Sequence, residues 1–276
     1  TILGTSREKP YKKDINGQKV LKKPGKIKQN YKELGLDAVV CIGGNGTMKT
    51  AHLLSDEGLN IIGIPKTIDN DVWGTDITFG FDSAVAIATE AIDRLHTTAN
   101  SHKRIMVIEL MGHHAGWLTL YAGVAAGGDI ILIPEIDYHE EVIVETLEKR
   151  AQKKKAYSII VVAEGIKTPS KRGAASYICE RIQYRTGLET RKTILGYIQR
   201  GGTPSAMDRI LATRYGAHAA DLIAKERSGI MVAMENNKTV YVNLADVDGR
   251  LRYVPKDHSL IVKARHMGTS FGDRVV

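Results

Sequence analysis

Continuous apolar runs restrict how this chain can fold more than any other feature. They fall within 38–42, 61–64, 104–110, 129–134 and 158–163, and they lack the apolar–polar alternation of a strand with one wetted face. Strands of this kind are covered on both sides, as in the parallel sheets of α/β proteins. Helical patterns separate them. Residues 48–54 read as a short helix. An Asp82-Ser83 cap opens a long one with a core stripe of Ala84, Ile87, Ala88, Ala91, Ile92 and Leu95. Further helices are expected over 118–124, 140–151, 174–184 and 205–225, and another strand over 192–198.

A chain of 276 residues suffices for two modest α/β domains or one large one. Its net charge of +8 has two readings, contact with nucleic acid or membrane and binding of small phosphates. Arg and Lys are scattered and aromatic content is 6%, too low to favour base stacking, so small phosphates are preferred. Cys41 and Cys179 sit far apart in apolar runs, which suggests free thiols in a reducing compartment and a cytoplasmic setting. No apolar stretch approaches the ~20 residues that span a bilayer, and the first residues do not resemble a signal peptide. The chain starts at Thr1, partway into a strand-to-loop pattern, so a preceding piece is expected. Residues 8–30, rich in Lys with Pro10, Gly17, Pro24 and Gly25, read as exposed loop leading into a helix.

Two apolar runs end in loops of functional residue types. The first ends in Gly43-Gly-Asn-Gly-Thr47, where a helix N-terminus and close backbone approach suit an anion; a tight strand–helix turn is the plainer reading. The second ends in Pro65-Lys-Thr-Ile-Asp-Asn-Asp71, where Asp69 and Asp71 suit a general base and a magnesium ligand, or simply an Asx turn. Arg7, Arg104, Arg191 and Arg200 stand at strand edges or in the loops that follow, with forks suited to phosphate. Several such arginines beside a glycine loop and an Asp pair are the layout phosphoryl transfer needs. Glu164 ends a buried strand, a costly place for a charge without a partner. His113 and His114 have no partners at zinc-like spacing.

Together these stretches resemble the 6-phosphofructokinase family. Leu3-Gly-Thr-Ser-Arg7, the Gly43 and Pro65 loops, Ser101-His-Lys-Arg104, Met111-Gly-His113, Glu164, Thr190-Arg191 and Tyr197-Ile-Gln-Arg-Gly-Gly202 occur in family order over nearly the whole chain. The resemblance implies two doubly wound Rossmann-like domains with the active site in the cleft between them. We expect a phosphoryl-donor domain of 1–80 plus 199–245 and a sugar-phosphate domain of 81–198 plus 246–276. Asp69 would take the proton from the 1-hydroxyl of fructose 6-phosphate. Thr67 and Asp71 would hold phosphoryl oxygens and Mg2+. Met111, Gly112, Glu164 and Arg200 would bind the sugar phosphate. Arg104 and Arg191 would reach a neighbouring subunit's site in a homo-oligomer, a dimer or tetramer. Arg7 with Gly43, Gly44, Asn45, Gly46 and Thr47 would hold the donor. Asp129 and the lysines at 153–155 fall where some relatives bind an allosteric nucleotide. No nucleic-acid or membrane partner is expected.

The chain departs from the family pattern in four places. Asn45 stands where many relatives have a magnesium-binding Asp, and would ligate only through its carbonyl. His113 replaces a transition-state arginine and can donate one hydrogen bond. Tyr197 replaces a sugar-binding histidine. The family's N-terminal glycine loop is not in this chain. For the donor, Gly46 leaves room for the α-phosphate of ATP, whereas Lys66 is usual in pyrophosphate enzymes; ATP is preferred. A non-catalytic regulatory subunit of the same fold is the remaining alternative.

Overall fold

The structure, a computed structural model, describes residues 10–170 and 172–274. The elements run β1 (Tyr11–Lys13), β2 (Lys19–Leu21), α1 (Pro24–Glu33), β3 (Val39–Gly43), α2 (Asn45–Asp56), β4 (Ile61–Pro65), α3 (Phe81–His102), β5 (Ile105–Leu110), α4 (Trp117–Ala125) and β6 (Ile130–Leu132). They continue with α5 (Glu140–Gln152), β7 (Ser158–Ala163), α6 (Ala174–Thr186), β8 (Thr190–Ile194), a 3-10 turn (Gly196–Arg200), α7 (Ala206–Ala224), β9 (Ile230–Glu235), β10 (Lys238–Asn243), α8 (Leu244–Val247) and α9 (Ser259–His266).

The chain divides into two units. Unit 1 comprises Thr1–Lys66, Val72–Ile77 and Ile210–Leu251; unit 2 comprises Thr67–Asp71, Thr78–Arg209 and Arg252–Val276. These bounds differ from those expected at 80, 198 and 245. One reason is Asp208, 3% exposed, whose carboxylate accepts from the Ser83 N–H at 2.8 Å and its hydroxyl at 2.5 Å. That bond ties the start of α7 to α3 within unit 2.

Unit 2 is built on the sheet β6-β7-β5-β8, parallel throughout. Strands β5, β6 and β7 are apolar on both sides because both faces are covered, whereas the edge strand β8 is polar and largely exposed. Ile105, Val107, Ile160 and Val162 pack with Ile143, Leu147, Ile178 and Ile182 of α5 and α6. The alternate residues Met106, Ile108, Leu110, Ile159 and Val161 pack with Ala88, Ile92, Ala99 and Ala122 of α3 and α4. Each of the Val, Leu, Ile and Met side chains contributes about 1.5–3 kcal/mol on burial.

Unit 1 carries the sheet β10-β9-β4-β3, in which only the β9–β10 pair is antiparallel. Its core gathers Met48, Ala51, Ile61, Met231, Leu244 and Val247.

Three local expectations change. Within residues 8–30, β1 and β2 form a small antiparallel pair, and α1 starts at Pro24 with its fixed φ. The backbone N-cap of α3 is Gly80, with no side-chain cap; Asp82 and Ser83 lie inside the first turn and bond to Ser205 and Asp208 instead. β8 ends at Ile194 rather than 198, because Gly196 takes φ 53° and turns the chain into the 3-10 segment. Cys41 and Cys179 are free, partly buried thiols. Among the described residues no helix is long and apolar enough to cross a membrane.

Candidate active site: a glycine loop and a half-buried aspartate

In unit 1, β3 runs straight into α2 through the glycine loop. Gly44 is the N-cap, Asn45, Gly46 and Thr47 form the first turn, and no acidic side chain lies there. The positive end of the helix dipole therefore favours an anion there. Gly43 is required on steric grounds, since a Cβ there would lie 2.1 Å from Thr47 Oγ1. Gly46 stands in open space, with nothing within 4 Å of a Cβ. The Lys66 N–H donates to the Gly43 carbonyl at 2.9 Å and fixes the ends of β3 and β4 together. Arg7, expected at this site, lies outside the described residues.

The other expected residues lie in unit 2. The 67–71 segment is a turn. Asn70 holds φ 52°, and its side-chain oxygen accepts from the Thr78 N–H at 2.9 Å. The Thr67 hydroxyl accepts from the Asp69 N–H at 3.2 Å and donates to Asp69 Oδ2 at 3.3 Å. Asp69 Oδ1 is buried with no hydrogen-bond partner. Burial raises the Asp69 pKa, and the Glu164 charge raises it further; the Thr67 bond and the charges of Arg200 and His113 pull it back. An under-solvated carboxylate with a bare oxygen is suited to accept a proton. Asp71 is 4% exposed.

Met111 and Gly112 are buried at the end of β5, and His113 is exposed with φ 53°. The His113 N–H donates to Glu164 Oε1 at 2.8 Å. Glu164 itself is exposed, contrary to the cost expected at the end of a buried strand, because it follows Ala163 as the chain leaves β7. Tyr197 and Arg200 share the 3-10 turn, with the guanidinium 5.4 Å from the ring centroid. Arg104 and Arg191 meet on a residue that sequence reasoning passed over, Glu189, at 2.9 and 2.6 Å. The Arg104 hydrogen bond leads the causes that hold Glu189 below the usual carboxylate range. Gln199, 1% exposed, accepts from the Met111 N–H at 3.3 Å. It lay inside a recognised motif, so its role was open to view. Asp129 is paired with Arg150 at 2.8 Å.

A glycine loop at a helix N-terminus in one unit, and a half-buried aspartate and arginines at strand ends in the other, define a doubly wound α/β protein equipped for phosphate chemistry. A family model described as phosphofructokinase matches residues 1–223, and the chain belongs to that family. It is 57% identical over 277 residues to the "ATP-dependent 6-phosphofructokinase 3" of Bacteroides thetaiotaomicron, spanning 99% of this chain and 81% of that protein. It is also 46% identical over 274 residues to the "Pyrophosphate--fructose 6-phosphate 1-phosphotransferase" of Amycolatopsis methanolica, with 93% and 78% covered. Among solved structures, the pyrophosphate-dependent phosphofructokinase of Nitrosospira multiformis shares the fold with a TM-score of 0.78 at 22% identity, over 84% of this chain and 65% of that one.

Proposed function

We propose that this protein is an ATP-dependent 6-phosphofructokinase that phosphorylates the 1-hydroxyl of fructose 6-phosphate. The observation that carries the reading is Asp69, half-buried on a turn with its Oδ1 buried and without a hydrogen-bond partner and its pKa raised. In the proposed reaction the C1 oxygen attacks the terminal phosphorus of ATP and passes its proton to Asp69. The bond from that phosphorus to the ADP oxygen breaks, leaving fructose 1,6-bisphosphate and ADP. Thr67 orients the Asp69 carboxylate. Met111, Gly112, Glu164, Tyr197 and Arg200 hold the sugar phosphate, and His113 donates to the transferring group. Arg104 and Arg191 serve a neighbouring subunit in a homo-oligomer. Unit 1 binds the donor on the amides of 43–47, and unit 2 binds the acceptor.

Magnesium takes hard oxygen ligands and keeps many from water and phosphate. The Asp71 carboxylate and the Asn45 amide oxygen are of that kind. Among the described residues no group of three or more His, Cys, Asp or Glu is placed to hold a metal ion by itself; Asn45 offers its oxygen from unit 1 and Asp71 from unit 2. When bound, magnesium would supply charge neutralisation on the phosphoryl oxygens.

The test is formation of fructose 1,6-bisphosphate with ATP and with pyrophosphate in parallel, using the full-length protein. Turnover with ATP is expected. Turnover with pyrophosphate alone, the reading that Lys66 favours, would overturn the donor assignment. Sugar-phosphate binding without turnover on either donor would favour a regulatory subunit. Gly46→Asp should fold normally, since its Cβ meets nothing within 4 Å. Its charge should lower kcat/KM for ATP by about tenfold or more, as an introduced repulsive element does. Unchanged ATP kinetics would show that this position does not set the donor.

Because the Asp69 pKa is raised, kcat/KM should fall on the acid side at a pH above the ordinary aspartate value. A limb at the usual aspartate value, or one that survives in Asp69→Asn, would assign the base elsewhere.

A further inference from the structure

The acceptor loop of unit 2 is held by a part of the chain that no motif reaches. Arg252 lies beyond the 1–223 segment matched by the family model. Its backbone N–H donates to the Asp71 carbonyl at 2.9 Å, and its guanidinium donates to the Asn70 carbonyl at 3.2 Å. The guanidinium lies over the Trp117 indole, 3.9 Å from the ring centroid, and Trp117 Nε1 donates back to the Arg252 carbonyl at 2.9 Å. Two residues on, the Val254 N–H donates to Glu135 Oε1 at 2.9 Å. The same carboxylate accepts from the Gly116 N–H at 2.9 and 3.1 Å, at the N-cap of α4. The short strap 252–254 is thus bonded both to the 67–71 turn and to the start of α4, which directly follows the 111–116 loop.

We propose that Arg252 is a positioning residue for phosphoryl transfer, fixing the turn that aims the Asp69 carboxylate and registering it against the Met111–His113 loop. The proposal rests on the reading of Asp69 as the base. Asn70 sits in left-handed backbone, uncommon for a residue with a side chain, so the turn needs bonds from outside to persist. Arg252 supplies two of them to consecutive carbonyls. Only arginine combines a flat cation that stacks on an indole with a donor fork reaching past it; lysine keeps the charge but loses the plane.

The test uses Arg252→Met, which retains the aliphatic stem on Trp117 and the backbone N–H bond, together with Arg252→Lys. In the full-length enzyme, Arg252→Met should lower kcat by at least about tenfold, because small misplacements of catalytic groups are costly. The dissociation constant for fructose 6-phosphate should stay within about threefold, the signature of a loss confined to the transition state. Arg252→Lys should recover part of the rate. Hydrogen exchange gives a readout independent of turnover: amides of 67–72 should exchange faster in Arg252→Met, while those of β5 and β7 stay protected. A kcat within about twofold of wild type, or equal losses of rate, sugar-phosphate affinity and β5/β7 protection, would overturn the proposal. If wild type turned over neither donor, the Asp69 reading would fail first, and exchange at 67–72 would still decide whether Arg252 holds the turn.

Discussion

Replacing Asp69 with asparagine is expected to lower kcat by about three orders of magnitude, within the span of general-base catalysis, while fructose 6-phosphate still binds. The substitution preserves shape and removes both the capacity to take a proton and the carboxylate charge. It should also make the protein more stable at neutral pH. The folded-state pKa of Asp69 is raised, so the folded chain holds this proton more tightly than the unfolded chain. Stability is therefore lost as pH rises from the unfolded value through the folded one, and the loss is complete above it. Asparagine carries no such penalty. The melting temperature of Asp69→Asn should exceed that of wild type at pH 7, and the two should converge at pH values below the ordinary aspartate pKa. Near-normal turnover in the variant would remove Asp69 from the base role. A lower melting temperature at pH 7 would mean that the carboxylate stabilises the turn.

The largest stability effect is expected at Trp117. This side chain is 2% exposed, meets the His258 ring edge-on at 5.3 Å between centroids, and carries the Arg252 guanidinium on its face. Trp117→Ala removes a large buried ring and should cost about 3–5 kcal/mol, as for other buried aromatics. Trp117→Phe keeps much of the ring but leaves the Arg252 carbonyl without its indole donor, and should cost about 1–3 kcal/mol. Urea unfolding followed by far-ultraviolet circular dichroism measures both. A loss under about 1 kcal/mol for the alanine variant would mean that the site collapses around the gap.

The parts of the fold that were legible are those whose local chemistry has one solution. The runs of β4, β5 and β7 are apolar on both sides because helices cover both faces, and their bounds follow the composition closely. The glycine loop and the 67–71 turn were legible because anion contact and tight turning need particular residue types. Other features depended on distant partners. Ser83 looks like a helix cap until Asp208, remote in sequence, takes its hydrogen bonds. Glu164 looks buried from the strand before it, but the chain has already turned outward. The β9–β10 hairpin was overlooked although Asn236 and Asn237, at φ 48° and 62°, mark its turn with the residues that tolerate left-handed backbone. Glu189 and Arg252 carry no local signal at all, since an isolated charge acquires meaning only from what it meets.

The three-stretch construction of each unit has a consequence for how the protein is made. The β3–β4 pair of unit 1 and the β5–β7 pair of unit 2 can form from sequence already synthesised. The β9–β10 hairpin of unit 1 and the 252–254 strap of unit 2 arrive much later. Neither unit can close while the chain is still short, and the pairings that close them span long loops whose entropy opposes them. The half-built parallel sheets would wait with apolar faces uncovered during synthesis, a state prone to association. The acceptor turn would become ordered well after its own residues are made, because the Arg252 bonds that hold it come from a stretch synthesised about 180 residues later.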